Sequence, residues 1–175
     1  MERVYDGFVK IDKFPVKKAN GSEYMYEKVG IPSAVAAVVV NNDNKVLLVK
    51  QMRPCVGKET LEIPAGCIDK DGLTDEEIMI EELIEEGNIS KDDIIQFEQI
   101  RKYHTVIGSS DANMVLYYVK VNVGSGIYGV DDSDVYEAMW VTLEEMKRYI
   151  DDGMITDGKS VMAYQHLKIK QLENK

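Results

Sequence analysis

The chain is poor in the residues that would tie it down covalently or mark it as a nucleic-acid or membrane protein. It has two cysteines in 175 residues. Cys55 and Cys67 lack metal-ligand spacing and make no disulfide framework, so a reducing, cytoplasmic setting is expected. Two histidines, His104 and His166, are too few and too far apart for a zinc pattern, and packing or surface roles are expected of them. No apolar run approaches membrane-spanning length, and MERVYDGFVKIDK lacks the apolar segment of a secretion signal, so no membrane partner is expected. Basic residues are outnumbered: 21 Lys and Arg against 31 Asp and Glu leave a net charge of −10. That balance argues against nucleic-acid backbones and anionic membranes. It leaves an anionic small molecule possible, provided a metal and a few basic residues meet its charge.

What is present is a foldable apolar fraction, 45% of residues, in a chain sized for one core. Short alternating runs open it (Val4–Lys10, Phe14–Val16, Glu23–Glu27), with the hairpin signal Asn20-Gly21 before the last. These residues predict a small antiparallel sheet over 1–31, ahead of a main domain at 32–175. AVAAVVV at 34–40 is apolar throughout and predicts a strand buried on both faces, paired across Asn41–Asn44 with VLLV. Ile94–Ile100, Ala112–Val119 and Ala138–Val141 predict further strands, and Leu143–Asp151 and Val161–Leu172 two helices.

The organising stretch is LEIPAGCIDKDGLTDEEIMIEELIEEGNI, residues 61–89. It reads as a strand end, a Pro64-Ala65-Gly66 turn, a loop and a helix over 74–86. Thr74 and Glu77 make a capping-box pattern, Ile80, Leu83 and Ile84 give one apolar face with Met79 on its flank, and Gly87-Asn88 suits the end. From Asp71 to Ile89 there are acids and no Lys or Arg. Glu81 with Glu85, and Glu82 with Glu86, are like-charge pairs one turn apart, each costing a few tenths of a kcal/mol. A divalent cation turns that repulsion into attraction, because Mg²⁺ and Mn²⁺ favour clustered carboxylate oxygens. A solvated acidic face is the other reading.

These residues resemble the Nudix hydrolase signature: a Gly, then a Glu, then Arg-Glu-aliphatic-x-Glu-Glu-x-Gly-aliphatic on a loop-helix-loop. Gly66 matches the opening Gly, Glu82-Leu83-Ile84-Glu85-Glu86 the core and Ile89 the closing aliphatic. QMRPCVGKETLEIPAG, residues 51–66, is similar to the ADP-ribose pyrophosphatase branch. Glu81 stands in place of the signature's Arg, Leu73 of its first Glu and Asn88 of its closing Gly, and the loop after Gly66 is one residue longer. Asn tolerates the left-handed conformation. An acid at 81 cannot orient carboxylates as an Arg does.

The resemblance implies an α/β/α sandwich with a mixed sheet, preceded by N-terminal strands that build a homodimer; a plain extension of the core sheet is the alternative. It implies metal-dependent hydrolysis of a nucleoside diphosphate derivative, ADP-ribose first, giving AMP and ribose 5-phosphate. Another sugar nucleotide, or a nucleotide-binding or regulatory module without turnover, is the alternative. Glu82, Glu85, Glu86 and the Ala65 carbonyl would hold Mg²⁺ or Mn²⁺, with Glu82 and Glu86 catalytic. Arg53 and Glu62 fall on the substrate side. A guanidinium can grip phosphate oxygens bidentately, although a surface ion pair explains Arg53 equally well. The loop between the Ile94 and Ala112 strands, Tyr103–Asp111, lies where relatives shape substrate choice. The acidic loop 126–137 lies where they place a Glu as general base or extra ligand; Asp132 and Asp134 are the candidates, with Asp131 and Glu137 nearby, and a solvated loop the alternative.

Overall fold

The computed structural model describes residues 1–124 and 135–173. Three strands, β1 (Glu2–Asp6), β2 (Lys10–Lys17) and β3 (Glu23–Gly30), form an antiparallel sheet of their own. The turn before β3 follows from its residues: Asn20 accepts the Ser22 N–H at 3.1 Å, and Gly21 takes φ +84°. The alternating run Val4–Lys10 is divided between β1 and β2, and the Gly7 N–H donates to the Val9 carbonyl where the chain reverses.

The second sheet has seven strands: β4 (Ala34–Val40), β5 (Val46–Arg53), β6 (Lys58–Glu62), β7 (Ala65–Cys67), β8 (Ile94–His104), β9 (Asn113–Val121) and β10 (Val135–Val141). Their order is β10-β5-β4-β9-β8, with β6 against β5 and β7 against β4. β4 and β9 are parallel and the other pairings antiparallel, so the sheet is mixed. β4 is buried on both faces. Val35, Ala37 and Val39 pack with Ile78, Met79 and Leu83, whereas Ala36, Val38 and Val40 pack with Met146, Ile155 and Ala163. Helix α1 (Asp75–Gly87) therefore covers one face, and α2 (Leu143–Asp151) and α3 (Gly158–Glu173) the other, which is the expected sandwich.

β4 and β5 pair only at Val40 and Val46. Beyond that point β5 turns to β6, and β4 takes up β7 through Ala34–Cys67, Val35–Gly66 and Ala36–Ala65. The two hairpin arms splay, and the Pro64-Ala65-Gly66 turn sits at the fork, opposite the end of α1.

The capping box of α1 forms as its residues predict, with Thr74 accepting from the Glu77 N–H and Glu77 from the Thr74 N–H. Asn88 closes the helix in the left-handed region at φ +49°. The buried stripe differs from the expected one. Ile78, Met79, Leu83, Glu86 and Gly87 are buried and Ile84 is 46% exposed. Met79, Leu83, Glu86 and Gly87 recur at helical spacing, so an acid occupies part of the core-facing line. Gly87 is helical rather than left-handed; a Cβ there would lie 2.8 Å from Leu47 Cδ2, so the helix end lies flush on β5. α3 begins at Gly158 instead of Val161 because Asp157 accepts the Ser160 N–H at 2.9 Å, as an N-cap does.

Candidate functional site

The acids of the later turns of α1 meet the Pro64–Lys70 segment at two places. At the fork, the Ala65 N–H donates to Glu86 Oε2 at 2.9 Å, and Glu86 is 5% exposed. One turn earlier, Glu82 lies across Gly66 so closely that a Cβ on that residue would come within 2.1 Å of the carboxyl carbon. A side chain here would displace the Glu82 carboxylate from the turn, so the glycine matters through close approach and not through φ. Farther along the loop, Lys70 Nζ bonds Glu81 Oε2 at 2.7 Å and lies 3.9 Å from Glu85 Oε1. Glu82 and Glu86 thus meet the turn, and Glu81 and Glu85 the loop that follows it.

Beside the fork is a second charged cluster. Glu62 is 3% exposed. It receives two Arg53 bonds, from Nε and Nη2, each 2.7 Å, one from Thr60 Oγ1 at 2.6 Å and one from Lys159 Nζ. Burial pushes the Glu62 carboxyl up, but the partnership of Arg53, Lys159 and Thr60 outweighs it and holds the group at about 2. Lys159, nine-tenths buried, is also held by Asp157 at 3.0 Å. Arg53 and Glu62, both expected on the substrate side, are therefore bound to each other. Arg53 Nη1 makes no hydrogen bond among the described residues. Lys159, Asp157 and Thr60 went unseen in the sequence, since their cluster joins β6 to the start of a helix 97 residues later.

The remaining expectations sort as follows. Tyr103 and His104 end β8, so the loop proper starts at Thr105. That loop is tied to β3: Tyr26 donates to the Gly108 carbonyl, Val29 N–H to Ser109 O at 2.7 Å, and Lys28 pairs with Asp111 at 2.5 Å. Tyr103, Thr105, Met114, Asp157 and Lys159 line an open cavity of about 270 Å³ next to the Glu62 cluster. Cys55 and Cys67 are free thiols. Asp131, Asp132 and Asp134 lie outside the described residues, and Glu137 is exposed on β10.

Residues 30–163 match the NUDIX domain family. The chain belongs to the Nudix family. Among its relatives, the methanol dehydrogenase activator of Bacillus methanolicus is 31% identical over 172 residues, covering 97% of this chain and 91% of that protein. The ADP-ribose pyrophosphatase of Bacillus subtilis (strain 168) is 30% identical over 174 residues, with the same coverage. Family and relatives together support Nudix hydrolase activity of the pyrophosphatase type. No helix among the described residues is long and apolar enough to cross a membrane.

Nudix hydrolases generally use divalent metals. No three acidic, imidazole or thiol side chains among the described residues stand close enough together to hold a metal ion. The donor set fits a hard divalent cation in its chemistry, offering carboxylate oxygens on successive turns of one helix. The bare Cα of Gly66 is the cradle that brings one of them against the turn.

Proposed function

We propose that the chain hydrolyses the diphosphate linkage of a nucleoside diphosphate derivative with Mg²⁺ or Mn²⁺, ADP-ribose being the leading substrate and AMP and ribose 5-phosphate the products. The observation that carries this reading is the meeting of Glu82 and Glu86 with the Ala65-Gly66 turn. An acid placed in the core-facing line of a helix costs stability that a fold alone does not require. In this reading Glu82, Glu85, Glu86 and the Ala65 carbonyl hold the cation. Bound there, it would neutralise the diphosphate and lower the pKa of an attacking water. Arg53 keeps Nη1 for a phosphate oxygen while Glu62 fixes the plane of its guanidinium. Asp132 or Asp134 takes the proton of the attacking water.

The test is hydrolysis of ADP-ribose, other sugar nucleotides, dinucleoside polyphosphates and NADH, each with Mg²⁺ and with Mn²⁺. Metal-dependent release of AMP from ADP-ribose is expected. No turnover on the whole panel would overturn the reading. A second reading, a regulatory module that binds a nucleotide without turning it over, draws on the activator of Bacillus methanolicus, which is as similar to this chain as the pyrophosphatase is. Metal-dependent binding of ADP-ribose by calorimetry, without hydrolysis, would favour it.

The working unit in this reading is a cytoplasmic homodimer. The N-terminal sheet leaves Val4, Tyr5, Phe8 and Met25 exposed, an apolar set suited to a second copy. Light scattering at micromolar concentration would show a dimer, and a monomer would remove this part.

A further inference from the structure

The four glutamates of the later turns of α1, Glu81, Glu82, Glu85 and Glu86, are not held alike. Glu86 accepts from the Ala65 N–H, and Glu82 lies over Gly66, so both are set by the first residues of the loop. Glu81 and Glu85 are farther out, 41% and 46% exposed in their side chains, and meet Lys70 on the later part of the same loop. Glu81 and Glu85 stand one turn apart on one face, where two carboxylates repel. A single ammonium, 2.7 Å from one and 3.9 Å from the other, replaces that repulsion with attraction to a shared cation. The helix supplies no such cation itself, since no Lys or Arg occurs between Asp71 and Ile89. Gly72, at φ +87°, supplies the turn that follows Lys70 and leads the chain back to the helix start.

We propose that Lys70 is a positioning residue for the carboxylate site: it draws Glu81 aside and restrains Glu85, so that less reordering is needed for Glu82, Glu85 and Glu86 to converge on a cation. This rests on the metal-dependent reading above. It assigns the loop that follows Gly66 a task, and it explains how a helix with an acid at position 81 can still arrange its ligands. Glu81 is not a ligand in this arrangement; it is the anchor that keeps the ammonium between itself and Glu85. A cation so near the site has two opposed effects on metal affinity. Its charge weakens binding of a divalent ion, whereas its hold on Glu85 strengthens binding by ordering a ligand. The two give opposite signs when the charge is removed.

The deciding measurement is the binding of Mn²⁺ alone, by electron paramagnetic resonance, set beside kcat and KM. Lys70→Met is expected to weaken Mn²⁺ binding by about tenfold and lower kcat by about as much, with KM for the nucleotide within about twofold. Lys70→Arg keeps the charge and should restore most of both. Unchanged or tighter Mn²⁺ binding in Lys70→Met would overturn the proposal, because Lys70 would then be a diluting charge only. Should Lys70→Met fail to fold, the exchanged pair Lys70→Glu with Glu81→Lys decides. It should bind Mn²⁺ better than Lys70→Glu alone, and equal weakness in the two would sink the idea. If wild-type protein neither binds Mn²⁺ nor hydrolyses any of the panel, the metal-dependent reading falls and this proposal with it. If wild-type protein does both and Lys70→Met matches it, this proposal alone falls.

Discussion

Two groups of charge lie side by side in this molecule and are built on opposite plans. Around Glu62 a buried carboxylate is surrounded by donors: Arg53 through two nitrogens, Lys159 and Thr60. Along α1 the carboxylates are in register with one another, and Lys70 reaches two of them from the loop. The first group surrounds one buried acid with cations and ties β5, β6 and α3 into one piece. The second, on the proposed reading, takes up a further cation. Charge alone therefore does not locate a reactive site. What separates the groups is the ratio of acids to neighbouring cations: one acid among two cations around Glu62, and two acids sharing one ammonium at Lys70.

Breaking the first group should cost most in stability. Glu62→Leu leaves Lys159 buried with one carboxylate fewer, and a loss of about 3–5 kcal/mol is expected, read as a lower denaturation midpoint. The second group should show the reverse. Glu86→Gln is expected to leave the metal-free protein as stable as before or slightly more so, while hydrolysis falls on the order of a hundredfold or more. The melting-temperature rise given by millimolar Mg²⁺ should shrink with it. Loss of stability without loss of turnover in Glu86→Gln would put that acid in the first group.

Acid sharpens the same contrast. The Glu62 carboxyl titrates at about 2 in the fold against an ordinary 4.5, so its folded value is depressed. Its contribution, about 3 kcal/mol, is fully present above the ordinary value and is lost as pH falls from there toward about 2. An unfolding series across that window should show the loss in wild-type protein, and Glu62→Gln should be flatter. The smallest effect is expected from Glu81→Gln, whose half-exposed pair with Lys70 contributes about 0.5 kcal/mol or less to stability. Its melting curve should nearly overlay that of wild type.

The parts that could be read in the sequence are those whose signals are local. The apolar run at 34–40 gave a strand buried on both faces, and Thr74 with Glu77 gave the start of α1, because cap and periodicity are written within a few residues. The Gly66 and Glu82 match carried the family. The core-facing line of α1 was misplaced, since periodicity weighs apolar residues and Glu86 lies in that line as an acid. The start of α3 and the Lys159–Glu62 pair were missed for other reasons. The pair joins residues 97 positions apart and leaves no local trace, while the helix start rests on the Asp157 cap of the Ser160 N–H, which an apolar periodicity beginning at Val161 passes over. Of the two readings of Arg53, the structure shows an ion pair, made with a carboxylate of its own chain that is buried and not at the surface.

The ties between β3 and the loop after β8 have a consequence for how the chain folds. β2 and β3 are a hairpin closed by five neighbouring residues, Lys18 to Ser22, and can pair early. Tyr26 to Gly108 and Lys28 to Asp111 span 82 and 83 residues, so the hairpin has no fixed seat until β8 and β9 have paired. The N-terminal sheet is thus the first part able to form and among the last to be placed. Pulse-labelled hydrogen exchange should find the amides that pair β2 with β3 protected before the Val29 amide of β3, which donates into that loop. Simultaneous protection of all of them would show that the sheet waits for its seat.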